Sequence, residues 1–203
     1  MIIDKLMQIA LERAEKRKVL DVRVGLGYTG VLLESDACGL AYTFRDELSD
    51  CCGTLPEAGS LIGMRGADII LWASSKNLLK AAVGMAAVNA VLNTPQTVGD
   101  TGNVMSALDI RPDSTLGTVG DFRPILTGAR SKTDRIYVFE QDVTDDGALY
   151  DSSTIPEHLP KCDVVVITAS SIVNQTIPRA LTRLGYSPDE RDAIVAHVAE
   201  HHS

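Results

Sequence analysis

Four β-branched residues stand in succession at Val164-Val165-Val166-Ile167, between Asp163 and Thr168. A strand with one wet face alternates apolar and polar residues. An unbroken apolar run instead marks a strand covered on both faces, as in a parallel sheet with helices on either side. Parallel neighbours need crossovers of a dozen or more residues, usually helical, so the run predicts strand–helix alternation around it. Residues 115–119 and 135–139 supply two further strands, and helical spacing near 122–129, 154–159 and 175–184 lies between and after them. With right-handed crossovers these make a three-stranded half of a doubly wound sheet, whose ligands gather outside the C-terminal strand ends. The loops after Val119, Phe139 and Thr168 are therefore the first place to look for function.

The first half has a different rhythm. Ile3, Leu6, Met7, Ala10 and Ala14 recur at helical spacing among charged residues, and Leu20, Val22, Val24 and Leu26 then alternate with Asp21, Arg23 and Gly25 as a one-faced strand does. Residues 31–34 and 40–44 add two strands, with turn-forming Ser35-Asp36-Ala37-Cys38-Gly39 between them, so an antiparallel meander is expected. A connection over 46–65 leads to a short helix at 67–73 and a long one at 77–92. The long helix presents Leu79, Ala82, Val83, Ala86, Ala87, Ala90 and Val91, a face of mostly small residues suited to close packing, and Asn93-Thr94-Pro95 ends it. The Thr, Gly, Asp and Pro-rich stretch 94–114 reads as a crossing between an α+β domain at 1–95 and an α/β domain at 96–203. Ser187-Pro188-Asp189-Glu190 opens a terminal helix with a capping box.

Aromatic residues make up only 4% of the chain, so the cores must be aliphatic. A net charge of -8 repels nucleic acid, and the densest basic stretch (Arg123, Arg130, Lys132, Arg135) is interrupted by Asp121 and Asp134. Asp4, Lys5, Glu12 and Arg13 break any apolar leader, and nothing approaches the roughly 18 apolar residues of a membrane span. Cys38, Cys51, Cys52 and Cys162 lack paired spacing, as expected of reduced thiols in a cytoplasm.

Several motifs carry possible chemistry. Gly25-Leu26-Gly27-Tyr28-Thr29-Gly30 fits the dinucleotide pattern, but Val31-Leu32-Leu33 follows where a helix is required, so a glycine-bearing hairpin is expected. Gly117-Thr118-Val119-Gly120-Asp121-Phe122-Arg123-Pro124 is better placed, between a strand and a helix. Its glycines serve either close approach of an anion or the sterics of a plain turn. In the acidic stretch Glu140, Asp142, Asp145, Asp146 and Asp151, the carboxylates of Glu140 or Asp142 suit ribose hydroxyls or a hard cation, or simply solvate the loop. Asn89 and Asn93 share a helix face, as ligand contacts or as an end cap. Asn174-Gln175-Thr176 sits beyond the third strand with the same two readings. Cys51-Cys52 is a vicinal thiol pair for a soft metal or two small apolar residues. His197-Val198-Ala199-Glu200-His201 has a zinc-protease spacing, for which chance on a terminal helix is the better account.

Taken in order, Gly39 to Phe44, Val83 to Asn93, Val119 to Pro124, Val138-Phe139-Glu140 and Asp163 to Thr176 resemble a prokaryotic family of putative heavy-metal chelation proteins, over about residues 19–184. The resemblance implies an enolase N-terminal-like α+β domain, a Rossmann-like C-terminal domain and a cleft between them. It implies a cleft-facing set of Asn89, Asn93, Gly120, Phe122, Glu140, Asn174 and Thr176. The chain departs from the pattern at Ala169-Ser170-Ser171, where a Gly-Thr-Thr loop is usual, and at Gln175, which replaces a small residue.

Three functions are expected to compete. One is binding of a metal chelate or small anionic ligand, with a divalent or soft metal ion as the implied cofactor and Gly117, Gly120, Asp121, Phe122, Glu140, Asp142, Thr168, Asn174 and Thr176 among the contacts. Another is a Rossmann-like enzyme acting on a nucleotide or anionic metabolite, although no nucleophile, base or triad stands near the loops. The third is a homo-oligomeric assembly subunit, a dimer through the small-residue helix face or the opening helix.

Overall fold

The computed structural model describes residues 2–14, 16–45, 55–94, 102–140, 149–174 and 187. They fall into two compact units, the first holding residues up to 94 together with 172–174, the second holding 102–171 and 187.

The first unit runs α1 (Ile2–Ala14), β1 (Val19–Val24), β2 (Tyr28–Leu33), β3 (Ala37–Tyr42), α2 (Gly66–Ile70) continuing as a 3-10 turn over Leu71–Ser74, and α3 (Leu78–Leu92). The three strands form the expected antiparallel meander in the order β1-β2-β3. The Gly25–Gly30 stretch is a hairpin: Gly25 N–H donates to the Tyr28 carbonyl at 2.9 Å and β2 begins at once. The second reversal needs only Ser35 and Asp36, both left-handed at φ 68° and 56°. Ala37, Cys38 and Gly39, expected in the turn, therefore already pair with β2.

α3 is the centre of this unit. Asn77 caps it, its side chain accepting from Leu79 N–H at 3.0 Å and Lys80 N–H at 3.1 Å. Only Leu78, Lys80 and Asn89 along α3 escape full burial. The helix packs on β2 and β3 with one side and on α1, α2 and the 3-10 turn with the other. A helix apolar all round is a buried helix, and the small residues set how near its neighbours come. Ile172 and Val173 pack in the same core. Glu57 and Lys80 form an ion pair at 2.5 Å, with the ammonium 5.1 Å from the Trp72 ring centre. This pairing ties the segment before α2 to α3.

The second unit runs α4 (Val104–Ala107), β4 (Leu116–Val119), α5 (Arg123–Ala129), β5 (Ile136–Glu140), β6 (Tyr150–Asp151), α6 (Ile155–His158) with 3-10 turns on both sides and β7 (Val164–Ile167), and α7 (Ser170–Val173) starts in it but passes into the first unit at Ile172. Its sheet is parallel throughout, in the order β6-β5-β4-β7. The three strands expected side by side are so placed, with Thr118 opposite both Val138 and Val166. The apolar run of β7 faces both ways: Val164 and Val166 pack with Leu116, Ile136, Ile110 and Ala129, and Val165 packs with Leu159 and Phe139. Its residues are only half-buried, because β7 lies at the sheet edge among the described residues.

Three details differ from the sequence expectation. Residues 104–107, read as part of a crossing, form a helical turn capped by Asn103, whose side chain accepts from Met105 N–H at 2.9 Å. Residues 152–161 form a broken helix, since Pro156 and Pro160 each remove an N–H that a continuous helix would use. The two-residue strand β6 was not anticipated. The expected helix at 175–184 and the one opened at Ser187 lie outside the described residues, as do Cys51, Cys52, Asp142, Thr176 and the His197–His201 motif. No described helix is long and apolar enough to cross a membrane.

Inside β4, the Thr118 hydroxyl is fully buried and has no hydrogen-bond partner among the described residues. An unpartnered buried hydroxyl costs about 1–3 kcal/mol, and valine has nearly the same shape. Thr118→Val is therefore expected to raise stability by about 1 kcal/mol, read as a higher urea midpoint at unchanged slope. A lower midpoint would show that the hydroxyl has a partner.

Candidate functional site

Parallel pairing brings the C-terminal ends of β4, β5 and β7 to one rim. Val119 stands opposite both Phe139 and Ile167, so Gly120, Glu140 and Thr168 emerge side by side. Ladder bonds continue one residue past the strands: Gly120 N–H donates to the Phe139 carbonyl at 2.9 Å and Thr168 N–H to the Val119 carbonyl at 3.1 Å. The chain then reverses at Gly120, whose φ of 107° only glycine adopts comfortably. A Cβ there would also lie 2.9 Å from the Thr168 methyl.

The polar groups of the rim are paired with one another. The Glu140 carboxylate accepts from Asp121 N–H, and Asp121 Oδ2 accepts from Arg123 Nε at 3.1 Å. The hydroxyls of Thr168 and Ser170 share a hydrogen bond of 2.9 Å. Phe122, the residue preceding α5, is exposed. Two carboxylates against one guanidinium make the rim acidic. Arg123 and Ser170 are partners that sequence reading passed over. The signal was present in the spacings Asp121-x-Arg123 and Thr168-x-Ser170 at the two turns.

The remaining candidates are placed elsewhere or serve neighbours. Gly117 is inside β4, where a Cβ would meet Cys162 Sγ at 2.8 Å and Leu159 Cδ1 at 2.9 Å. Asn89 donates its side-chain amide to the Leu40 carbonyl of β3 at 2.8 Å. Asn93 ends α3, its N–H donating to the Asn89 carbonyl at 3.0 Å. Asn174 follows α7 and belongs to the first unit. Asp151 accepts from Ser153 N–H at 2.8 Å, and its bonds to Ser153 hold its carboxyl below the usual range.

A side-chain chelation site is not assembled by the described residues. No three His, Cys, Asp or Glu side chains among them come together around a possible ion. Cys38 is exposed on β3. Cys162 is half-buried, and burial, with Asp163 nearby, pushes its thiol up to about 11, so it stays protonated and weakly ligating at neutral pH. A raised folded value favours the neutral form. The stability it adds is complete below the unfolded value of 9.0 and is lost as pH climbs through about 11. Peptide-level alkylation at neutral pH is accordingly expected to modify Cys38 well before Cys162. Cys162→Ala should flatten the stability loss between pH 9 and 11. Equal alkylation rates would contradict this environment.

Residues 7–92 match one family model and residues 103–195 another, and both models carry the description putative heavy-metal chelation. An uncharacterised protein of Methanocaldococcus jannaschii is 29% identical over 195 residues, covering 90% of this chain and 74% of that protein. The crystal structure of a DUF364-family protein with unknown function from Pyrococcus horikoshii is similar, with a TM-score of 0.76, 27% identity, and coverage of 90% of this chain and 74% of that one. A second DUF364-family structure, from Desulfitobacterium hafniense, shares the fold at a TM-score of 0.72 and 21% identity, covering 89% of this chain and 72% of that one. With both halves matched under a single description, the chain belongs to the family of putative heavy-metal chelation proteins.

Proposed function

We propose that the chain binds a metal chelate at the rim where β4, β5 and β7 end. The observation that carries this reading is the convergence of Asp121, Glu140, Thr168 and Ser170 around Gly120, at the edge where open parallel sheets bind their ligands. The family description supports a metal as part of the ligand. Because no described cluster holds a bare ion, the metal would arrive carrying its own ligands, and the rim would recognise those ligands by hydrogen bonding.

Calorimetric titration of the full chain tests this, with zinc, nickel and cadmium alone and as their ethylenediamine complexes. Complexes are expected to bind tighter than millimolar and better than the bare ions. Asp121→Asn should weaken them roughly tenfold, the worth of one charge-assisted hydrogen bond. Binding no tighter than millimolar for every probe would overturn the proposal.

A further inference from the structure

We infer that Glu140 determines the specificity of this rim, excluding phosphate-like oxyanions and leaving it to ligands that carry positive charge or hydrogen-bond donors. The inference rests on the rim being the ligand site and deepens that reading.

A β–α turn holds an oxyanion through backbone N–H groups left free to point at it. Here the amides of Gly120, Asp121 and Phe122, and those of Thr168, Ser170 and Ser171, already have acceptors. Gly120 N–H donates to the Phe139 carbonyl at 2.9 Å and Phe122 N–H to the Gly120 carbonyl at 3.1 Å. Between them, Asp121 N–H donates to the Glu140 carboxylate. After β7 the pattern repeats: Thr168 N–H reaches the Val119 carbonyl at 3.1 Å, and Ser171 N–H the Thr168 carbonyl at 3.0 Å. Ser170 N–H donates to Thr168 Oγ1 at 3.3 Å.

The carboxylate of Glu140 thus takes, on the Asp121 amide, the position an oxyanion would need. Arg123, the cation at this turn, is bound by Asp121. Nor do the glycines argue for a phosphate. Gly120 is explained by its φ of 107° and by the Thr168 methyl, and Gly117 by Cys162 and Leu159. What the rim offers a ligand is acceptor oxygen, from Asp121, Glu140 and the two hydroxyls. Acceptor oxygen suits ammine, ammonium or hydroxyl donors.

The test follows backbone amide NMR shifts of the full chain during titration with inorganic pyrophosphate and, separately, cobalt(III) hexammine. In the unaltered chain, hexammine is expected to move the Asp121 and Glu140 amides saturably, while pyrophosphate leaves 120–122 unmoved. In Glu140→Ala, pyrophosphate should move the Asp121 amide and hexammine should bind roughly tenfold more weakly. Unchanged amide positions away from the rim report that the variant is folded. Glu140→Gln retains an acceptor oxygen and is expected still to exclude pyrophosphate.

Pyrophosphate binding at 120–122 in the unaltered chain would overturn the inference while leaving the rim a ligand site. Continued exclusion by Glu140→Ala, or admission by Glu140→Gln as ready as by Glu140→Ala, would also overturn it. Failure of hexammine to move any rim amide would instead remove the reading on which the inference rests.

Discussion

Gly84→Ala is expected to destabilise the first unit by about 3 kcal/mol, the upper end for overpacking a filled core, and Gly39→Ala by a similar amount. At Gly84 an added Cβ would stand 2.1 Å from Ala73 N and 2.5 Å from Trp72 C. At Gly39 it would stand 2.1 Å from Ala86 O and 2.2 Å from Ala90 N. All four obstacles are backbone atoms, so no side chain can swing aside, and α3 would have to move bodily. Since α3 is packed on both sides, a shift away from one neighbour drives it into the other. Urea unfolding of each variant reads the loss. Gly27→Ala is the control, since a Cβ there meets nothing within 4 Å and should change stability by less than about 0.5 kcal/mol. Gly84→Ala within about 1 kcal/mol of the parent would show that the helix stands further off than described.

Phe139→Ala should cost the second unit about 3–5 kcal/mol. Its ring is only 1% exposed and packs with Ile155 and Leu159. The rings of Tyr137 and Tyr150 lie 6.3 Å and 6.1 Å from it between centroids. In a chain so poor in aromatics, neighbouring aliphatic residues cannot close that volume without moving the strand. The strand carries Glu140 at its end, and the Phe139 carbonyl anchors Gly120. Loss of stability should therefore come with altered amide shifts at 120–122, which Leu159→Ala need not produce. A thermal midpoint within a few degrees of the parent would place the ring outside the core.

The architecture was written in long-range patterning, and the site was not. Val164 to Ile167 called for a sheet covered on both faces, and the alternation of helical spacing with residues 115–119 and 135–139 put those two strands beside it. The small-residue face of the 77–92 helix likewise foretold close approach, although Gly39 read as a turn residue and its contact with the backbone of Ala86 and Ala90 emerges only in the structure. What was not legible depended on partners distant in sequence. Nothing local shows that Glu140 bonds to the Asp121 amide, or that Gly120 and Gly117 are glycine because of Thr168 and Cys162. The same two glycines therefore read equally well as an anion loop and as packing. β6 escaped notice because two residues carry no period, and the helical spacing near 154–159 was read as continuous although Pro156 and Pro160 break it.

The placement of Ile172 and Val173 in the core of the first unit has a consequence for how the polypeptide matures. As the ribosome delivers the chain, everything up to Thr94 emerges while two apolar side chains belonging to its interior are still untranslated. Nascent α1–α3 must wait in an incomplete state until the whole second sheet has been synthesised. Expression of residues 1–95 alone should yield a loosened, aggregation-prone fragment rather than a native domain, and supplying 170–174 from a separate peptide should tighten it.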